Sequence, residues 1–151
     1  MSKQPRSVQV VVFHEDSAGR VYLLLKRIAQ YGGHWQTVTG SLETGETHLE
    51  AAQRESAEET GILATAEEFI DLHLVNTFQI APEWLHRYPP GITRNEEVCF
   101  ALRAPSRVIS IEREEHEQYS WQPFEVALEM VYWESTRLAL VAAETILRPG
   151  R

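Results

Sequence analysis

Residues 40–62 carry the strongest structural signals in the sequence. Thr47, followed three residues later by Glu50, forms a capping-box pattern, and Gly61 suits the residue that ends a helix. Four residues share one face at helical spacing: Leu49, Ala52, Ser56 and Thr60. The segment therefore predicts an α-helix that turns this face toward the core of the protein.

Three glutamates of this predicted helix, Glu55, Glu58 and Glu59, fall together beside the core-facing residues. Carboxylates three or four residues apart repel each other by roughly a few tenths of a kcal/mol on an isolated helix. A solvated acidic surface is one interpretation of such a cluster. The other is a site for a divalent cation, because carboxylate oxygens are ligands that suit Mg²⁺ or Mn²⁺.

Strand signals flank this helix on both sides. Runs of β-branched and aromatic residues predict strands at residues 8–13, 21–27, 35–40, 72–80, 96–103 and 119–123. The first two runs are joined by the turn-like sequence EDSAGR and predict a β-hairpin. A final helical stretch over residues 124–147 is expected to break near Trp133. This order predicts an α/β fold in a single domain over residues 1–151, with helices packed against a mixed sheet.

Charge and hydropathy exclude several classes of function. The net charge of −8 argues against binding to a nucleic-acid polymer, because such binding needs a basic surface. No apolar run reaches the roughly 20 residues that span a bilayer, so a membrane protein is not expected. The amino terminus has no apolar signal core, which predicts a cytoplasmic protein. The oligomeric state stays open.

The helix and the loop before it resemble the Nudix box, G-x5-E-x7-R-E-U-x-E-E-x-G-U, in which U is an apolar residue. The matching positions are Gly40, Glu46, Arg54, Glu55, Glu58, Glu59, Gly61 and Ile62. One position departs from the pattern: Ser56 stands where an apolar side chain is expected. Because Ser56 lies on the core-facing side of the helix, this departure should weaken packing slightly and leave the chemistry intact.

The resemblance implies a Nudix fold, a mixed β-sheet in an α/β/α sandwich. It also implies an enzyme that hydrolyses a diphosphate bond in a small-molecule substrate with Mg²⁺ or Mn²⁺. Glu55 and Glu59 would be the principal metal ligands, with Glu58 a further ligand or the group that activates water. Arg54 would orient a glutamate of the box through a charge-assisted hydrogen bond. Gly40, Glu46 and Gly61 would serve the structure of the box, Gly40 by letting the loop fold back beneath the helix.

Segments before and after the helix of the box resemble one Nudix branch, the bacterial dihydroneopterin triphosphate pyrophosphohydrolases of folate synthesis. These segments are HWQTVTGSLETGE, HRYPPGITRNEE and EEHEQYSW. By position, Glu115 would be a third metal ligand and a candidate general base, although Glu114 or Glu117 could take its place. Lys26 and Thr39 match positions expected near the substrate. The implied reaction gives dihydroneopterin monophosphate and pyrophosphate.

Four other residues are candidates for substrate binding. Arg87 and Arg94, in the loop between two predicted strands, would offset the negative field of the box for an incoming anion, or would serve only the turn. Phe78 and Tyr132 would stack on a planar ring, unless they belong to the core. Two alternatives remain open for the function: hydrolysis of a (deoxy)nucleoside triphosphate or dinucleoside polyphosphate, and a binding module that senses a nucleotide without cleaving it.

Overall fold

The computed structural model describes residues 3–148, which form seven strands and three α-helices. The strands are β1 (Arg6–Asp16), β2 (Gly19–Arg27), β3 (Trp35–Gln36), β4 (Val38–Ser41), β5 (Phe69–Gln79), β6 (Arg94–Arg103) and β7 (His116–Gln122). The helices are α1 (His48–Thr60), α2 (Phe124–Met130) and α3 (Glu134–Leu147). Short 3₁₀ helices occupy Ala29–Tyr31, Ala66–Glu68 and Pro82–Arg87.

The strands form one mixed sheet in the order β3-β2-β1-β6-β5, with β4 also paired to β1 and β7 also paired to β2. Strands β1 and β6 are parallel, and the other pairs are antiparallel. Strand β1 pairs with β4 through residues 7–10 and with β2 through residues 13–16. The sheet therefore divides along β1 between residues 10 and 13, and β4 begins beside this division at Val38. The loop that leads from β4 to α1 starts at the other end of β4, after Ser41.

Side chains alternate along β1 between two cores on opposite faces of the sheet. Val8, Val10 and Val12 pack with Ala51 and Ala52 of α1. The other face holds Val11, Phe13, Tyr22, Leu24, Ala139 and Leu140, which belong to β1, β2 and α3. With α1 on one face and α2 and α3 on the other, the predicted α/β/α sandwich with a mixed sheet is confirmed.

Both ends of α1 are formed as the sequence predicts. The Thr47 hydroxyl accepts a hydrogen bond from the Glu50 amide at 3.1 Å, and the Glu50 carboxylate accepts one from the Thr47 amide at 2.9 Å. Gly61 adopts φ 80°, a left-handed conformation that favours glycine, and ends the helix. These local bonds fix where α1 begins and ends, and so which of its residues face the sheet.

The C-terminal helical stretch is broken at the predicted place, since α2 ends at Met130 and α3 begins at Glu134. The segment between them returns to the sheet, where Val131 forms an isolated bridge with Trp35. This return brings Tyr132 and Trp133 next to His34. Within residues 3–148, no helix is long and apolar enough to cross a membrane.

Candidate active site

Glu55 of α1 lies directly against the backbone of β4. A Cβ atom placed on Gly40 would overlap the Glu55 carboxylate. Gly40 does not have a positive φ, so its backbone conformation does not itself require glycine. The requirement for glycine at this position comes from the close approach of Glu55, which is itself buried.

Glu59, one turn further along α1, is the more deeply buried of the two carboxylates, with 2% of its surface exposed. Its Oε1 atom is buried and has no hydrogen-bond partner. The Nε2 atom of His116 lies 3.7 Å from this oxygen, too far for a hydrogen bond. A buried carboxylate oxygen without a donor is costly unless a cation or a proton accompanies it.

The pKa values of both carboxyls are raised by this environment. Burial raises the pKa of Glu55 to about 7, against the opposing effect of the Arg54 guanidinium. Burial, followed by the negative charges of Glu55 and Glu115, holds the pKa of Glu59 well above its usual range. Burial lowers the pKa of His116 to about 4, with a further contribution from Arg27, so the imidazole beside Glu59 is neutral. No positive charge on His116 therefore compensates the buried carboxylates.

Arg54 ties the loop before α1 to the glutamates of the helix. Its guanidinium donates to both oxygens of Glu46, at 2.8 and 2.9 Å, and to the Ser41 carbonyl at 3.0 Å. Its Nη1 atom lies 3.2 Å from Glu55 and 3.3 Å from Glu58. These hydrogen bonds lower the pKa of Glu46. The two-pronged contact fixes the loop geometry in a way that a lysine could not reproduce.

The other two predicted metal ligands lie at the rim of this acidic pair. The Glu58 side chain is half exposed and held by Arg54. Glu115 is partly buried in the loop before β7, and its charge contributes to the raised pKa of both Glu55 and Glu59. Of the alternatives, Glu114 is exposed and Glu117 pairs with Lys26 at 3.3 Å. The placement favours Glu115 over both neighbours.

The candidate substrate-binding residues are only partly brought together. Arg87 lines a pocket of about 200 Å³, and Tyr132 stacks at 3.6 Å on His34, which also lines it. The Thr39 hydroxyl accepts a hydrogen bond from Gln36, another residue of the pocket wall, at 3.1 Å. Of the six candidates only Arg87 lines the pocket. The remaining three make other contacts or none: Lys26 is paired with Glu117, Arg94 is bonded to Gln79, and Phe78 is part-exposed on the edge strand β5.

The sequence interpretation missed two residues of this region, Lys3 and Arg27. Arg27 could have been found, because Leu23 and Leu25 face α1 and a strand turns every second residue the same way. That alternation indicates Arg27 instead of Lys26. His116 faces Glu59 only because β7 pairs with β2, a long-range contact that the sequence does not specify. Lys3 precedes the first strand and carries no local signal.

The donor set fits a divalent cation in its chemistry. Glu55 and Glu59 offer hard oxygen ligands, and Oε1 of Glu59 has no other partner. Within residues 3–148, however, no three histidine, cysteine, aspartate or glutamate side chains converge enough to hold a metal ion as they stand. The carboxylates of Glu55 and Glu58 instead form ion pairs with Arg54. Metal binding with Glu58 as a ligand would require this side chain to turn from Arg54 toward the acidic pair, Glu55 and Glu59.

Comparison with known protein families supplies the deciding observation. The family model for the NUDIX domain matches residues 3–141, most of the chain. The chain belongs to the Nudix family. It is a Nudix hydrolase, and the prediction of a Nudix pyrophosphohydrolase is confirmed. Nudix hydrolases generally use divalent metal ions, in agreement with the carboxylates described above.

Individual relatives resemble the chain over most of its length. It is 41% identical to the dihydroneopterin triphosphate diphosphatase of Escherichia coli K12, over 79% of this chain and 78% of that protein. It is 31% identical to the Haemophilus influenzae protein of the same name, over 85% and 80%. The solved structure of the E. coli dihydroneopterin triphosphate pyrophosphohydrolase matches with a TM-score of 0.81 and 37% identity, covering 97% of both chains. The Nudix fold is therefore shared along nearly the whole chain.

Proposed function

We propose that this Nudix hydrolase converts dihydroneopterin triphosphate and water to dihydroneopterin monophosphate and pyrophosphate, with Mg²⁺ or Mn²⁺ bound. The observation that carries the reaction is the buried Oε1 atom of Glu59, which has no hydrogen-bond partner and lies beside the buried carboxylate of Glu55. The choice of substrate is supported by the 41% identity to the E. coli enzyme of that name.

A divalent ion, when bound, would neutralise the negative charge of the phosphate oxygens and lower the pKa of a water molecule that it binds. Glu55 and Glu59 offer the most buried oxygens for such an ion, and Glu58 and Glu115 complete the proposed ligand set. Arg54 anchors Glu46 through two hydrogen bonds and so holds the β4–α1 loop against the helix. Glu58 or Glu115, both at the solvent rim, accepts the proton of the attacking water.

The substrate is proposed to enter through the pocket that contains Arg87 and His34. Tyr132 is proposed to bind the planar ring at the rim of this pocket, because it is 55% exposed and already stacks on His34. Thr39 is proposed to act through Gln36, to which its hydroxyl is bonded. Lys26, Arg94 and Phe78 do not line this pocket, and any contact they make with the substrate is proposed to lie outside it.

The test is a substrate panel with the purified chain in ¹⁸O-labelled water, with products identified by mass spectrometry. The panel contains dihydroneopterin triphosphate, deoxynucleoside and nucleoside triphosphates, and a dinucleoside tetraphosphate. We expect the highest kcat/KM for dihydroneopterin triphosphate, with one ¹⁸O atom incorporated per turnover into a phosphate product. Equal or higher kcat/KM values for ordinary nucleotides would reject the pterin substrate and support the nucleotide alternative.

A metal series completes this test. Activity is measured after removal of divalent ions with EDTA, and again after Mg²⁺ or Mn²⁺ is added back. We expect no turnover in EDTA and recovery with either ion. Full turnover in EDTA would reject the role proposed for the glutamates, whatever the substrate.

A further inference from the structure

His116 is a buried histidine that is neither a proposed metal ligand nor a proposed substrate contact. Its side chain has 0% of its surface exposed, and neither ring nitrogen has a hydrogen-bond partner among the described residues. Two unsatisfied nitrogens on one buried ring destabilise the fold, because each has lost water without gaining a partner. A leucine would fill this space without an unpaired polar atom. Packing alone therefore does not account for an imidazole at this position.

A β-bulge in β7 turns His116 toward α1. Arg27 of β2, on the face of the sheet that α1 covers, pairs with His116, although the preceding pair joins Lys26 to Gln118. Glu117 is therefore an extra residue in β7. Regular pairing would set Glu117 opposite Arg27, on the face that carries the acidic pair. The bulge puts the imidazole there instead, and the Glu117 carboxylate pairs with Lys26 at 3.3 Å.

The imidazole lies against the carboxylate of Glu59. Nε2 of His116 is 3.7 Å from Oε1 of Glu59, and both atoms are buried and unpaired within the described part of the chain. A movement of about 0.7 Å would bring these two atoms to the usual N–H···O distance of about 3.0 Å. One hydrogen bond would then satisfy an atom on each of the two residues.

Once Glu59 is ionised, the imidazole is the donor in this pair. Burial lowers the pKa of His116 to about 4, with a contribution from Arg27, so the ring is neutral and carries one N–H. With that hydrogen on Nδ1, the lone pair of Nε2 would face a negative carboxylate, so hydrogen on Nε2 is favoured. A carboxylate oxygen has two lone pairs, and Oε1 can accept this bond and still bind a cation.

We propose that His116 is a positioning residue, whose Nε2–H holds the Glu59 carboxylate in the orientation in which it binds the divalent ion. That an ion binds here rests on the proposed function, whereas the contact between imidazole and carboxylate rests on the geometry of β7 and α1. A carboxylate held in place beforehand loses less freedom when it binds the ion. The bulge in β7 thus raises metal affinity although His116 is not itself a ligand.

The direct test measures Mn²⁺ binding to the metal-free chain by electron paramagnetic resonance. His116→Leu removes the donor, His116→Asn puts an amide nitrogen near the place of Nδ1, and His116→Gln puts one near the place of Nε2. We expect His116→Leu and His116→Asn to weaken binding roughly ten- to a hundredfold, the range for loss of a bond that orients a ligand. His116→Gln should bind close to the parent. His86→Leu, the same change at an exposed histidine, should bind as the parent does.

Thermal unfolding in EDTA separates positioning from packing. We expect the melting temperature of His116→Leu to be at least that of the parent, because two unsatisfied nitrogens are removed. A lower melting temperature together with weaker Mn²⁺ binding would assign His116 to packing and overturn the proposal. Unchanged Mn²⁺ binding in His116→Leu and His116→Asn would also overturn it, as would an equal loss in His116→Gln.

A further measurement needs no substrate. ¹⁵N NMR of the histidine-labelled chain in millimolar Mg²⁺ reports which ring nitrogen carries the hydrogen, and His116→Gln identifies the signals of His116. We expect hydrogen on Nε2, and hydrogen on Nδ1 would contradict the positioning role.

Failure of this role is distinct from failure of the proposed function. The expected pattern of Mn²⁺ binding, without hydrolysis of dihydroneopterin triphosphate, would support positioning by His116 and reject the pterin substrate. Hydrolysis of that substrate, with Mn²⁺ binding unchanged in His116→Leu, would support the proposed function and reject the role of His116.

Discussion

Glu59 places one of its carboxylate oxygens where no protein donor among the described residues satisfies it. Replacement by glutamine keeps the shape and removes the charge that a cation would bind. We expect Glu59→Gln to lower kcat by roughly 10²–10⁴-fold, the range for loss of an essential catalytic group. The metal-free variant should be at least as stable as the parent, because repulsion with Glu55 is removed.

The matched control for Glu59→Gln is Glu67→Gln, since Glu67 is exposed and lies outside the site. Steady-state kinetics and thermal unfolding in EDTA are measured for both variants. A Glu59→Gln enzyme with normal turnover would contradict the proposed role. A large loss of stability would instead mean that the buried carboxyl supports the fold.

Glycine is required at position 40 because the Glu55 carboxylate lies against it. The contribution of this one contact to activity can be measured separately. Gly40→Ala should displace Glu55 and reduce activity at least about tenfold, because precise placement of the reacting groups is lost. In a Glu55→Ala background the same substitution should cost no further activity, since the overlapping side chain is absent. A double-mutant cycle on kcat/KM measures this coupling. Additive losses would show that Gly40 acts through some other contact.

Among the elements, α1 begins and ends where the sequence predicts. The sequence predicts only part of the face that α1 buries. The capping box and the Gly61 stop depend on residues within one turn of each other, so their pattern is visible in the sequence. Helical spacing correctly predicts that Ala52, Ser56 and Thr60 face the core. It places Glu55 and Glu59 on a neighbouring face, whereas the structure buries both side chains. Packing against β4 at Gly40 decides this burial, and periodicity alone does not reveal it.

Ser56 on α1 departs from the apolar residue of the Nudix box, and its hydroxyl is fully buried without a partner. We expect Ser56→Ala to increase the free energy of unfolding by about 1 kcal/mol, because an unsatisfied polar group is removed and alanine favours the helix. Urea denaturation checks this value, with kcat/KM expected to stay unchanged. A decrease in stability would mean that the hydroxyl makes a bond not seen among the described residues.

At the scale of the whole molecule, the site depends on contacts between segments distant in the chain. Pairing of β7 with β2 brings Glu115 and His116 to α1, and the 3₁₀ helix Pro82–Arg87 brings Arg87 to Lys3 and Arg27. The net charge of −8 does not reveal this positive pocket, because a net charge says nothing about where the charged residues lie in the fold. Recognition of the box therefore gave the acidic residues, and the sequence also singled out Arg87, whereas Lys3 and Arg27 became visible only in the fold.

The buried carboxyls also connect stability to pH. The pKa of Glu55 rises from 4.5 to about 7 in the folded protein, so its contribution to stability is complete below 4.5 and is lost as pH rises through about 7. Glu59 acts in the same direction. His116 acts oppositely, with a pKa lowered from 6.5 to about 4, and its contribution to stability is present above 6.5 and lost as pH falls toward 4. Above 6.5 the carboxyls therefore dominate the pH dependence.

In EDTA we consequently expect the free energy of unfolding to fall as pH rises above 6.5, by up to about 1.4 kcal/mol per pH unit for each proton released. The melting temperature should fall with it. Millimolar Mg²⁺ should reduce this fall, because cation binding to the ionised pair stabilises the folded state most at the higher pH. Thermal unfolding across pH, with and without Mg²⁺, measures the difference. Glu59→Gln should lose most of the Mg²⁺ effect. Parallel curves in EDTA and Mg²⁺ would contradict the link between this acidic pair and the metal.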